Sequence, residues 1–157
     1  MSTLSKLLIL VGTVTRKAEC VAHAIEMDCA DLVPTIEVRA MDGLDIRVFE
    51  EDALYVICSS TCGSGDVPDN ARHLYESLAS QPTYLGHVRY GVIALGDSAY
   101  PQTFCNGGLR FDERLADLGG VRLGEVFCHD ASDGTEPEVA CNAWAREWLA
   151  LALLAPV

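Results

Sequence analysis

Three polar, glycine-bearing stretches hold the residues that could do chemistry: Gly12-Thr-Val-Thr-Arg-Lys-Ala18, Ser60-Thr-Cys-Gly-Ser-Gly-Asp66 and Gly96-Asp-Ser-Ala-Tyr-Pro-Gln-Thr-Phe-Cys-Asn106. In the first, the hydroxyls of Thr13 and Thr15 and the free amides of a helix start could hold a phosphate, with Arg16 and Lys17 adding positive charge. An ordinary strand-to-helix turn capped by Thr13 or Thr15 has the same residues. The stretch has neither a P-loop nor a Gly-x-Gly-x-x-Gly pattern, which weakens triphosphate and dinucleotide readings. In the second, Gly63 and Gly65 allow a positive φ or the close approach of a flat ligand, and a plain tight turn would use them equally well. In the third, Tyr100 lies among polar turn residues, where its ring is expected to be exposed and available for stacking; Phe104 follows just before a helix.

The elements around these stretches decide whether they meet. Leu7 to Val11, Thr35 to Ala40, Ala53 to Cys58, Val88 to Leu95 and Val121 to Cys128 are apolar or alternating runs of strand length. Between them the period changes to 3.6: Ala18, Val21, Ala22, Ile25 and Cys29 share a face, as do Ala71, Leu74, Tyr75 and Leu78, and Phe111, Leu115 and Leu118. A last helix over about 137–154 would bury Val139, Ala143, Trp144, Trp148, Leu151 and Leu154. Met41 to Asp52 reads as a loop or single turn. Strands alternating with helices predict an α/β fold with a five-stranded parallel sheet covered on both faces. In such a sheet, ligands bind at the rim formed by the C-terminal ends of the strands, which is where all three stretches fall.

With 157 residues and 50% hydrophobic content the chain is expected to be one domain over its full length. A net charge of -12 excludes nucleic acid and anionic membranes as natural partners and favours a basic protein. Seven cysteines, an odd number in a core-rich chain, are expected mostly as buried reduced thiols: Cys20, Cys29, Cys58, Cys105, Cys128 and Cys141 lie in or beside apolar patterns. The histidines at 23, 73, 87 and 129 have no metal-ligand spacing. The N-terminal apolar run is too short for a spanning segment and lacks a secretory cleavage pattern, so a cytoplasmic location is expected.

Taken together the three stretches resemble the flavodoxin family along essentially the whole chain. Thr13-Val-Thr15 is similar to the phosphate-loop pattern of that family. Thr61-Cys-Gly-Ser-Gly-Asp66 with Asp69-Asn70 is similar to a segment of the flavodoxin-like FMN domains of diflavin reductases. Ala94-Leu-Gly-Asp-Ser-Ala-Tyr100 with Phe104-Cys105 resembles the loop over the other face of the flavin. The absence of a long insertion in strand five resembles the short-chain flavodoxins and the free-standing MioC-type FMN-binding proteins. Three residues depart from the pattern: Arg16 stands where glycine is usual, Lys17 where threonine is frequent, and Cys62 where an aromatic commonly stacks. An arginine is accommodated without strain only at negative φ, so the phosphate loop is expected to be reshaped.

The resemblance implies a three-layer α/β/α sandwich with strand order 2-1-3-4-5 and FMN as cofactor. It implies a phosphate site at Thr13, Val14, Thr15, Arg16, Lys17 and Ala18. The ring would lie between Ser60, Thr61, Cys62 and Gly63 on one side and Gly96, Asp97, Tyr100, Phe104, Cys105 and Asn106 on the other, with Asp130 near the ribityl chain or ring edge. The Cys62-Gly63 peptide would accept a hydrogen bond from flavin N5. The implied function is electron transfer by a monomer, from a flavodoxin reductase with a basic docking surface to an acceptor enzyme, with no catalytic side chain required. Two other readings stay open: an FMN-dependent NAD(P)H oxidoreductase of quinone-reductase type, and a flavin-free interaction module on the same fold.

Overall fold

A computed structural model describes residues 6–13, 16–61 and 65–154. The apolar runs form strands β1 (Lys6–Gly12), β2 (Thr35–Ala40), β3 (Leu54–Ser59) and β4 (Arg89–Gly96). They pair in parallel in the order β2-β1-β3-β4, and two further short strands continue the sheet on the far side of β4. Helices α1 (Lys17–Asp28), α2 (Arg72–Ser80) and α3 (Asn106–Asp117) lie in the connections, and α4 (Pro137–Leu154) follows the last strand. After β2 there is only a 3-10 turn, Ile46–Glu50, which buries Ile46, Val48 and Phe49.

The central strands alternate between two cores, as strands buried on both faces must. Leu7, Ile9 and Val11 of β1, with Val56 and Cys58 of β3, meet Val21, Ala22 and Ile25 of α1 and Cys141, Ala145 and Trp148 of α4. Leu8 and Leu10, with Tyr55, Ile57, Val92 and Ala94, meet Leu74 and Leu78 of α2, Phe111 and Leu115 of α3, and Phe49. The result is the expected three-layer sandwich.

Two sequence expectations need correction. The run from Val121 to Cys128 is not one strand but two, β5 (Val121–Arg122) and β6 (Phe127–Asp130), each paired in parallel with β4. Gly124, at φ +69, breaks the extended backbone between them. The buried face of α4 is also different: Cys141, Ala145, Trp148, Leu149 and Ala152 are buried, whereas Val139 and Leu151 are 69% and 49% exposed and Ala143 faces solvent. Trp148 sets this register, because its indole N–H donates to the Leu123 carbonyl (2.9 Å) and its ring covers Gly91, where a Cβ would lie 2.5 Å from Nε1. Trp144 is half-buried and stacks between Trp148 and Phe127.

Candidate functional site

β1, β3 and β4 end side by side, so the stretches that follow them gather at one rim of the sheet. Gly12 pairs with Ser59 across β1 and β3, and Ser59 with Ala94 across β3 and β4. The Ser60 amide donates to the Gly12 carbonyl (2.9 Å), extending the ladder one residue into the second stretch.

Thr13 is held at the end of β1 by its backbone amide, which donates to Asn70 Oδ1 (2.9 Å). Its hydroxyl is buried and has no partner among the described residues. A buried hydroxyl without a hydrogen bond costs about 1–3 kcal/mol, which a polar ligand group at this position would relieve. Arg16, at the N-cap of α1, is in the left-handed region at φ 65 and ψ 0. The strain-free condition of negative φ is therefore not met: Arg16 is left-handed and bears the Cβ strain, on the order of 1–2 kcal/mol. Arg16 and Lys17 are exposed at the first turn of α1, where cations and free amides together suit an anion. Ala18 is buried against the sheet, so only its backbone could face a ligand.

The second and third stretches are stitched to each other. Thr61 Oγ1 donates to the Leu95 carbonyl (3.1 Å) and accepts from the Gly107 amide (3.0 Å). Asn106 Nδ2 donates to the Gly65 carbonyl (2.9 Å). Gly107 is required by this approach, since a Cβ there would lie 2.3 Å from the Ser60 carbonyl oxygen. Ser60 is buried beneath the seam.

The third stretch is also tied to the loop after β6. Asp130 Oδ1 accepts from the amides of Ser98 and Ser132, both at 2.9 Å, and the Ala131 amide donates to the Gly96 carbonyl at 2.8 Å. Asp97 Oδ1 accepts from the Ala99 amide (2.9 Å) and from the Ser132 hydroxyl. These bonds hold both carboxyls below the usual aspartate range, chiefly through Ser98 for Asp130 and Ser132 for Asp97. Asp130 thus fastens two loops together.

Tyr100 is 65% exposed on this rim and leaves one large planar ring uncovered. Phe104 is half-buried and packs toward the α3 core, and the side chain of Cys105 points into that core. Cys105 is therefore corrected as a side chain lining the site: it is fully buried, in the left-handed region at φ 59, and its thiol lies 3.3 Å from the Ala94 carbonyl. Val14, Thr15, Cys62 and Gly63 lie outside the described residues, and with them the Cys62-Gly63 peptide. Asn70 and Gly107 are scaffold residues that spacing alone did not single out. Asn70 falls within a segment that carries the resemblance, but its partner on β1 is 57 positions away in sequence.

The comparisons with known proteins agree with this geometry. Residues 9–144 match the family model described as "Flavodoxin". The chain belongs to the flavodoxin family. It is 39% identical over 140 residues to "Flavodoxin YqcA" of Pectobacterium carotovorum subsp. carotovorum, covering 89% of this chain and 92% of that one. It is 36% identical over 147 residues to the "Sulfite reductase [NADPH] flavoprotein alpha-component" of Vibrio parahaemolyticus, covering 92% of this chain but 22% of that larger protein. Among solved structures, a cysteine-to-alanine mutant of a flavodoxin from Pseudomonas aeruginosa superposes with a TM-score of 0.78 at 31% identity, over 93% of this chain and 97% of that one. As a flavodoxin the protein binds FMN and transfers electrons, and the orphaned Thr13 hydroxyl beside the cationic start of α1 fits a phosphorylated ligand. No described helix is long and apolar enough to cross a membrane.

Proposed function

We propose that this flavodoxin holds the FMN phosphate at residues 13–18, accepts the ring between residues 60–63 and 96–106, and carries electrons from a reductase with a basic surface to an acceptor enzyme. The observation that carries the reading is the buried Thr13 hydroxyl, which has no hydrogen-bond partner among the described residues and lies just before α1.

Each residue has a limited task. Thr13 and the first amides of α1 bind the phosphate oxygens, and Arg16 and Lys17 offset their charge. Val14, Thr15, Cys62 and Gly63 are assigned by resemblance alone. Tyr100 covers one face of the ring and excludes water from it. Thr61, Asn106 and Gly107 keep the second and third stretches in register, and Asp97 and Asp130 hold the third against the β6 loop. FMN, when bound, supplies the one- and two-electron chemistry, so no acid, base or nucleophile from the protein is needed.

The partners follow from charge. Asp97, Asp130 and Asp133 lie around the rim, and the Asp69 side chain is almost fully open to solvent, on a chain with a net charge of -12. A basic surface around the donor's own redox centre complements them.

The test is the visible spectrum of the purified protein, with and without added FMN, followed through reductive titration. Flavin bands and electron uptake in two resolved steps are expected. Failure to bind added FMN would overturn the reading in favour of an interaction module. Direct and rapid NADPH oxidation by the isolated protein would replace it with an oxidoreductase.

A further inference from the structure

Cys105 and Cys128 come together at the seam between β4 and β6, although 22 residues, all of α3 among them, separate them in sequence. Cys128 sits opposite Ala94 in the parallel β4–β6 pairing, so its side chain leaves the sheet on the same face as Ala94. That face is the one packed by α3, and Ala94 and Cys105 belong to the same core. The Cys105 sulfur rests over the seam, 3.3 Å from the Ala94 carbonyl and 4.0 Å from the His129 carbonyl. The two thiols are near enough to shift each other's titration in opposite directions.

Their surroundings differ in the way a two-step thiol exchange needs. Cys128 is exposed and Cys105 is fully buried. Interaction with the neighbouring Cys105 thiol lowers the Cys128 thiol from its ordinary value, while the same interaction and burial push Cys105 up. An accessible thiolate beside a buried thiol makes one the attacking group and the other the group that follows. The other described cysteines lack this arrangement: Cys29, Cys58 and Cys141 are buried, and Cys20 is exposed on α1.

We propose that Cys105 and Cys128 form a thiol-exchange site for low-molecular-weight disulfides, in which Cys128 attacks and Cys105 resolves. The Cys128 thiolate attacks one sulfur of the small disulfide, forming a mixed disulfide and expelling one thiolate. The Cys105 thiol gives its proton to an expelled thiolate and attacks the Cys128 sulfur, breaking the bond to the small molecule and releasing a second thiolate. The protein loses two electrons and two protons to become the Cys105–Cys128 disulfide, and the small disulfide is reduced to two thiols. The new bond would fasten the first residue before α3, where the 96–106 loop ends, to β6. The site stands on the two cysteines alone and does not depend on flavin.

The test treats the purified FMN-loaded protein with glutathione disulfide, quenches with acid and maps peptides without reduction. A cross-linked Cys105–Cys128 peptide is expected as the main product, whereas Cys20, the internal reference, gives at most a simple glutathione adduct. Cys128→Ser should abolish the cross-link and slow loss of the Cys105 thiol at least about tenfold. Cys105→Ala should leave a lasting glutathione adduct at Cys128. A wild-type protein that keeps glutathione on Cys128 with Cys105 still a free thiol would overturn the proposal, as would a Cys128 that reacts no faster than Cys20. Cys128→Ser alters only an exposed position and keeps the test open should Cys105→Ala fold poorly. Loss of FMN binding would bear on the flavin reading and not on this one.

Discussion

Thr13 and Arg16 both carry a local cost that a bound phosphate can counter. Thr13→Val removes the unpartnered hydroxyl at nearly constant shape, so the FMN-free protein should be as stable as the parent or more so. FMN affinity should fall about tenfold, the worth of a hydrogen bond to a charged group at about 1.5 kcal/mol. Urea unfolding and fluorescence titration read the two effects separately, and a parallel loss of stability would mean that the hydroxyl has a partner within the protein. Arg16→Gly removes Cβ strain at φ 65. It should change stability by between zero and about +1 kcal/mol after the added freedom of the unfolded chain is subtracted, whereas Arg16→Val should lower it by about 1 kcal/mol or more. Equal unfolding midpoints for the glycine and valine variants would contradict the left-handed turn. The resemblance identified position 16 as unusual but could not show that arginine would take the strain: φ is set by how β1 hands over to α1.

Lys6 at the start of β1, Glu37 and Arg39 within β2, and Glu51 ahead of β3 form a cluster of charges at the edge of the sheet. Glu51 accepts from Lys6 Nζ (2.8 Å) and from Arg39, which also pairs with Glu37. Arg39 first, and Lys6 after it, lower the Glu51 carboxyl from 4.5 to about 2. A carboxylate lowered in the folded state stabilises it fully above about pH 4.5, and that contribution disappears as pH falls toward 2. Glu51→Gln should therefore be less stable than the parent at neutral pH, with the gap closing between about pH 4.5 and 2; a gap constant across that window would show that the charges contribute nothing. Asp97, Asp130 and Asp133, also lowered, add to the acid limb in the same direction. The β4 and β6 ends show why tertiary pairing outranks a local pattern. Val121 to Cys128 alternates well enough to pass for one strand, yet Gly124 turns at φ +69 and both fragments still find β4. In α4, an Ala- and Leu-rich helix is apolar on several faces at once, so periodicity cannot choose the buried one. The Trp148 indole bond to Leu123 does.

Across the molecule the strongest lever is charge. With 11 Lys and Arg against 23 Asp and Glu, attraction to the basic donor proposed above would be long-ranged and screened by ions. The second-order rate of electron transfer from such a donor should drop steeply, on the order of tenfold, between low and physiological ionic strength. A rate indifferent to salt would locate docking on an uncharged surface instead. Stopped-flow mixing over a salt series reads this directly.

Local pattern determined the parallel α/β sheet and the three rim stretches, and the resemblance carried by those stretches named the family. Strands buried on both faces leave continuous apolar runs, and stretches that serve a ligand keep hydroxyls, glycines and an exposed ring between them. The tertiary structure decided what depends on contacts between distant positions: the unpartnered Thr13 hydroxyl, the Asn70 and Gly107 scaffold, the inward turn of Cys105 and its meeting with Cys128. Each of these depends on a distance across the sheet, between residues far apart in sequence, and no periodicity along the chain encodes such a distance.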